Sequence, residues 1–260
     1  MNRIKIPVLD KNQCKEIRKD VFLYGDDSDI TLDTKICRYM NFEHLVTILK
    51  GRLYVPMKKK FSDLHESGHH YNEFIYRLKP VGDSSEKYEK IFDDEKEKRV
   101  GSQYWLTLCF TTDVREDYFF WRTYTNGKCG VRITTTIKQF LDSLSFDGYE
   151  LFIGKMKYVD CECPSHNVNQ YAFWKTDAYK NESELRIYFQ PKQQDLIEEH
   201  SEMAAAKDHV TFRIDAENMV TKIILTPFFP KELRGCVSEM INTKLSNYKE
   251  ITSWSRIMEI

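Results

Sequence analysis

The chain lacks an excess of charge of either sign: 39 Lys and Arg stand against 40 Asp and Glu, a formal net charge of -1. No global field therefore draws it to nucleic acid or to an anionic membrane. It has no apolar run of the roughly 18 residues a membrane helix needs, and the start, Met1 to Asp10, has no long apolar core, so neither a signal peptide nor a membrane span is expected. The seven cysteines are odd in number and irregular in spacing, which argues against a disulfide framework and for a reducing compartment, the cytoplasm by default. Internal repeats and low-complexity tracts are missing as well. Cys161-Glu162-Cys163-Pro164-Ser165-His166 has no second ligand pair to make a zinc knuckle. His65, His69 and His70 beside Asp63 and Glu66 lack defined ligand spacing, so no metal is expected.

What is present points to a globular protein. Hydrophobic residues make up 41% and aromatics 13% of 260 residues, enough to bury a substantial core. Strand-like runs outnumber regular strand–helix–strand alternations, which predicts an α+β fold with a mixed or largely antiparallel central sheet and helices packed on it. Residues 1–34 are polar and turn-rich and read as a surface arm or peripheral helix. Residues 35–260 read as a single α+β domain, with a highly charged helical insertion at about 69–100.

Within that domain Ile36 to Met40 reads as a strand, Asn41 as a helix N-cap, and Phe42, Leu45, Val46 and Leu49 recur at helical spacing before Gly51 closes the helix. Leu53 to Val55 resumes as strand. The triplet Lys58-Lys59-Lys60 reads as a solvated face or a phosphate contact. Gln103 to Thr111 is rich in aromatic and β-branched residues and predicts a central strand. Asp117 to Tyr124 packs five aromatics into eight residues; core packing and a stacking wall for a flat ring both fit. Further strands are expected at 129–134, 149–159, 210–214 and 220–225, and helices at 137–144 and after Pro230.

Chemistry concentrates in Trp174 to Phe189, W-K-T-D-A-Y-K-N-E-S-E-L-R-I-Y-F. On a strand, residues two apart share a face, so Glu182, Glu184 and Arg186 would project together while Leu185, Ile187 and Phe189 face the core. Neighbouring carboxylates raise one pKa, and the guanidinium holds the other ionised, an arrangement suited to acid/base or electrostatic catalysis. The plainer alternative is a solvated strand face carrying an Arg–Glu pair.

These pieces resemble a bacterial family, domain of unknown function 2971. Its marks are an early aromatic-basic strand, F-N-D-P-x-E, W-x-x-Y with a following G-V, and K-x-x-x-W-x-x-E-x-E-x-R. They stand here as Arg38-Tyr39, Phe61 to Glu66, Trp121 to Tyr124 with Gly130-Val131, and Lys175 through Tyr179 to Arg186. Ser62, Leu64 and Tyr179 depart from the pattern. The chain is also similar to ADP-ribosyltransferases, which place an Arg or His on an early strand, a Ser/Thr or Tyr on a middle strand and an E-x-E turn late. Arg38, Thr111 or Thr112, and Glu182-Ser183-Glu184 follow that order, although an S-T-S triplet is missing.

The second resemblance implies NAD as co-substrate, transferred to a protein or nucleic-acid acceptor with no membrane involved, in the manner of a toxin or anti-phage defence effector. Arg38 would clamp phosphate. Trp121 and Tyr124 would stack nicotinamide, and Tyr39, Thr111, Thr112 and Arg186 would line the same site. Glu184 would stabilise the oxocarbenium-like state on an exposed strand face, and Glu182 would serve the acceptor. Asp63, Glu66 and Lys175 are further candidates. A metal-dependent nuclease would use Asp63, Glu66, Glu182 and Glu184 as Mg²⁺ ligands. A non-enzymatic module would bind a nucleotide or nucleic acid through Lys58 to Lys60 and the aromatic wall.

Overall fold

Short strands separated by tight turns dominate the computed structural model, which describes residues 6–25, 29–61, 97–98, 100–125, 128–159, 168–192, 208–245, 252–255 and 257. Asp63, Glu66, the three neighbouring histidines, the Cys161–His166 stretch and nearly all of the expected insertion lie outside them. In chain order the elements are β1 (Cys14–Arg18), β2 (Val21–Tyr24), β3 (Lys35–Asn41), α1 (Phe42–Leu49), β4 (Arg52–Pro56), β5 (Leu106–Thr111), α2 (Tyr118–Thr125) and β6 (Gly130–Thr136). There follow α3 (Ile137–Ser143), β7 (Leu144–Ser145), β8 (Tyr149–Lys155), β9 (Lys157–Val159), α4 (Val168–Phe173), β10 (Trp174–Thr176) and β11 (Glu184–Pro191). The remainder is β12 (His209–Ile214), α5 (Ala216–Met219), β13 (Lys222–Leu225), α6 (Arg234–Asn242) and β14 (Thr252–Trp254). Nine strands belong to one mixed sheet, and with the helices they make the fold α+β.

The chain divides into two compact units, the first comprising Met1–Asp27, Val55–Leu108 and Asp147–Val210, the second Ser28–Tyr54, Cys109–Phe146 and Thr211–Ile260. In the first, β1 and β2 form an antiparallel hairpin whose two-residue turn ends on Asp20 at φ 63, the left-handed conformation such turns require. β2 runs parallel to β8, and β8 antiparallel to β11. Residues 1–34 are therefore no peripheral arm in their described part: β2 is a strand of the sheet beside β8, and its Val21 and Leu23 are buried in the core.

Strand β11 is buried along its whole length. One face, Leu185, Ile187 and Phe189, is the expected apolar one. The other carries Glu184, Arg186, Tyr188 and Gln190 and is also covered, for Ala172 and Phe173 of α4 and Leu9 pack into one cluster with Tyr188, Phe152 and Trp105. Gly154, opposite Arg186 on β8, makes this cover possible. A Cβ there would stand 2.8 Å from two ring carbons of Phe173, closer than packed carbons allow. Side-chain amides stitch the N-terminal segment down: Leu9 N donates to Gln190 Oε1 at 2.6 Å, Asp10 N to Asn169 Oδ1 at 2.7 Å, and Asn169 Nδ2 back to Asp10 O at 2.7 Å.

In the second unit β3, β6 and β13 are successive antiparallel neighbours and β14 joins β13 in parallel. Helix α1 follows the sequence reading closely. Asn41 enters it in extended conformation, Leu45, Ile48 and Leu49 are buried, and Gly51 leaves it at φ 75, where a side chain would be strained. The aromatic-rich 118–125 run is a helix, α2, laid on Tyr39 and Ile224 through Trp121.

Candidate active site

The polar groups of the first unit meet where β10 hands over to β11. β9 and β10 pair in parallel with Tyr158 opposite Lys175, so these two side chains share a face. After β10 a 3-10 turn, Asp177–Glu182, ends at Ser183, whose φ of 44 and ψ of 45 place it in the left-handed region. That conformation costs a non-glycine residue on the order of 1 kcal/mol, and it has a geometric consequence. Glu182 is the last residue of the turn and not a member of β11, so the E-S-E stretch does not present two carboxylates on one strand face.

The two carboxylates are brought together by a lysine instead. Lys175 Nζ lies 2.9 Å from Glu182 Oε2 and 3.4 Å from Glu184 Oε2, and 4.3 Å from the centre of the Tyr179 ring. Arg186 holds Glu184 in a fork, Nε donating to Oε1 at 2.5 Å and Nη2 to Oε2 at 3.1 Å. Its Nη1 donates to Tyr188 Oη at 3.3 Å, and that hydroxyl donates to Ala172 O at 2.6 Å. Tyr158 Oη accepts from Glu184 N at 2.9 Å. Burial, opposed by that hydrogen bond, pushes the Tyr158 phenol up to about 12, so it stays protonated at working pH.

Burial separates the roles. Arg186 and Glu184 are 1% and 5% exposed, so the polar face of β11 is an internal network and not a solvated Arg–Glu pair. The Glu182 side chain keeps 17% exposure and that of Lys175 7%. Glu182 is thus the more accessible carboxylate of the two. Lys175 and Arg186 already sit against the two carboxylates, which disfavours a divalent cation on the same oxygens. Among the described residues, no three His, Cys, Asp or Glu side chains are grouped as metal ligands.

The second unit holds the other candidates. Arg38 donates from Nη1 to Cys109 O at 3.2 Å and lies 5.8 Å over the Phe110 ring; burial draws its pKa down from the usual guanidinium value. Tyr39 Oη accepts from Asp117 N at 3.0 Å, and burial raises its phenol to about 12. Thr111 is buried, its Oγ1 accepting from Asp113 N at 3.1 Å, and Thr112 is partly exposed. Trp121 is wholly buried, edge-on to Tyr39 with centroids 4.8 Å apart, so it offers no open face to a flat ring. Tyr124 is exposed and meets Phe120 edge-on at 5.5 Å. Core packing accounts for Trp121. In the first unit the lysine run is no uniform solvated face either: Lys58 is 2% exposed over the Trp105 ring, while Lys60 pairs with Asp208 at 2.5 Å.

No family model, curated protein or solved structure matches the chain. Sequence reasoning missed Tyr158, since only the parallel β9–β10 pairing sets it beside Lys175. Among the described residues no helix is long and apolar enough to cross a membrane.

Proposed function

We propose that the chain is an ADP-ribosyltransferase-like enzyme that cleaves the glycosidic bond of NAD, with Glu182, Lys175, Glu184 and Arg186 as its reaction centre. One observation carries the reading. An accessible carboxylate, Glu182, is held 2.9 Å from a lysine that is itself anchored on a buried carboxylate–guanidinium fork, and a group so fixed needs no reorganisation when charge develops next to it. In the reaction, the bond between ribose C1′ and the nicotinamide nitrogen breaks and its electron pair leaves with nicotinamide. The oxocarbenium-like carbon forms a bond to an acceptor oxygen or nitrogen, and the acceptor's proton passes to Glu182. Glu184 and Arg186 are positioning residues here, because both Glu184 oxygens are engaged by the guanidinium.

The order Arg38, Thr111 or Thr112, and Glu182-Ser183-Glu184 supports this reading, and the motifs Arg38-Tyr39, Trp121 to Tyr124 and Lys175 to Arg186 support membership of the domain of unknown function 2971 family. The nuclease reading is less well supported, since its ligands Glu182 and Glu184 face cations. The test is incubation of the protein with NAD, with and without a cell lysate as acceptor source. Nicotinamide release above the protein-free control is expected. Its absence under both conditions sinks the reading.

A further inference from the structure

The corner that carries Glu182 hangs on a side-chain hydroxyl. The antiparallel pairing of β8 with β11 ends at Lys155 opposite Leu185, and one residue beyond, Met156 N still donates to Glu184 O at 2.8 Å. A ladder continued in that register would return the Glu184 N–H to a backbone carbonyl. That N–H goes instead to Tyr158 Oη at 2.9 Å, and from Lys157 onward the chain pairs with β10. Glu184 is therefore held at its carbonyl by backbone and at its amide by a phenol.

Directly before Glu184 stands Ser183 in the left-handed region, φ 44 and ψ 45, a conformation that costs a non-glycine residue and persists only where its surroundings impose it. On the other side of Ser183 is Glu182, whose carboxylate lies 2.9 Å from Lys175 Nζ. Tyr158 and Lys175 are opposite each other on β9 and β10. Their hydroxyl and ammonium are thus two fixed points on one ribbon, the first holding the backbone of the corner and the second the carboxylate at its end.

We propose that Tyr158 is a positioning residue that sets Glu182 for the acceptor and so decides how NAD divides between transfer and hydrolysis. The inference rests on the NAD reading. An acceptor group carried on a macromolecule has one line of approach and needs the base at a set place, and a misplacement of about 1 Å can cost on the order of 10²-fold. Water approaches along several lines and tolerates a displaced base. Tyr158 takes no proton itself: burial pushes its phenol up to about 12, so it acts through Glu182 alone.

The test compares the parent with Tyr158→Phe, which removes the hydroxyl and keeps the ring. Each is incubated with NAD labelled on its adenylate half and a cell lysate as acceptor source; label on macromolecules measures transfer and free ADP-ribose measures hydrolysis, both above the lysate alone. The ratio of transfer to hydrolysis should fall about 10–100-fold in the variant, with the KM for NAD unchanged. A purely structural loss would lower both by the same factor and leave the ratio where it was. Circular dichroism reports folding. An unchanged ratio in a folded, active variant overturns this inference and leaves the NAD reading standing, whereas a parent that releases no nicotinamide overturns both. A parent that hydrolyses NAD without labelling the lysate overturns this inference, and so does a variant that does not fold, since the hydroxyl would then hold the whole unit and not one corner.

Discussion

Arg186 grips Glu184 from two positions further along the same strand, Nε to Oε1 at 2.5 Å and Nη2 to Oε2 at 3.1 Å, with both side chains all but sealed from solvent. Such a fork in a dry setting is worth little net stability against an apolar pair, yet breaking one half is costly, because the other charge stays buried. That asymmetry leads to the first prediction.

Glu184→Gln should destabilise the protein by about 3–5 kcal/mol, the range for leaving a buried charge uncompensated. A solvated strand face would have predicted almost no change. Urea unfolding of parent and variant with equal m-values measures it, and a loss below about 1 kcal/mol would show that the face is not sealed.

Glu182→Gln should behave in the opposite way. Its side chain is partly exposed and sits at the end of a turn, so stability should change by no more than roughly 1 kcal/mol, whereas transfer to the acceptor should fall about 10²–10⁴-fold, the range for a lost general base, and fall more than NAD hydrolysis does. Activity kept at the parental level, in a folded variant, would move the reacting carboxylate elsewhere.

Alkaline pH should weaken the fold through Tyr39 and Tyr158. Each phenol titrates at about 12 in the folded chain, above the ordinary value near 10. A folded pKa above the unfolded one gives stability that is fully present below about pH 10 and is lost as pH rises toward 12. Urea midpoints at neutral pH and at successive points up to pH 12 should show this slope in the parent and a shallower one in Tyr39→Phe and Tyr158→Phe. Parallel slopes in all three would remove these two groups as its source.

Gly154→Ala should cost about 1–3 kcal/mol, the usual penalty for overpacking, because the new methyl meets the Phe173 ring. Pairing it with Phe173→Leu should recover part of the loss, and strict additivity in that double-mutant cycle would show that the two residues do not press on each other.

Much of the local architecture could be read from the chain alone. Asn41, the Phe42, Leu45, Val46 and Leu49 spacing and Gly51 mark α1 through its entry, its period and its left-handed exit, although the Asn41 side chain makes no cap hydrogen bond and the residues that end up buried are Leu45, Ile48 and Leu49. The α+β class followed in the same way from short β-branched and aromatic runs. The candidate site was legible in its residue types, since Lys175, Glu182, Glu184 and Arg186 stand in one stretch. Their arrangement was not. Period-two alternation put Glu182 on the strand, but a single left-handed residue, Ser183, ends the turn first and leaves the lysine to join the carboxylates. Alternation likewise marked Glu184 and Arg186 as a face away from the core, yet both are buried, and Leu9, Ala172 and Phe173, which pack with Tyr188 on that side of β11, come from outside the strand. Local pattern tells which residues share a face; only the tertiary structure decides whether that face meets water, because its cover is built from contacts that no short-range periodicity encodes.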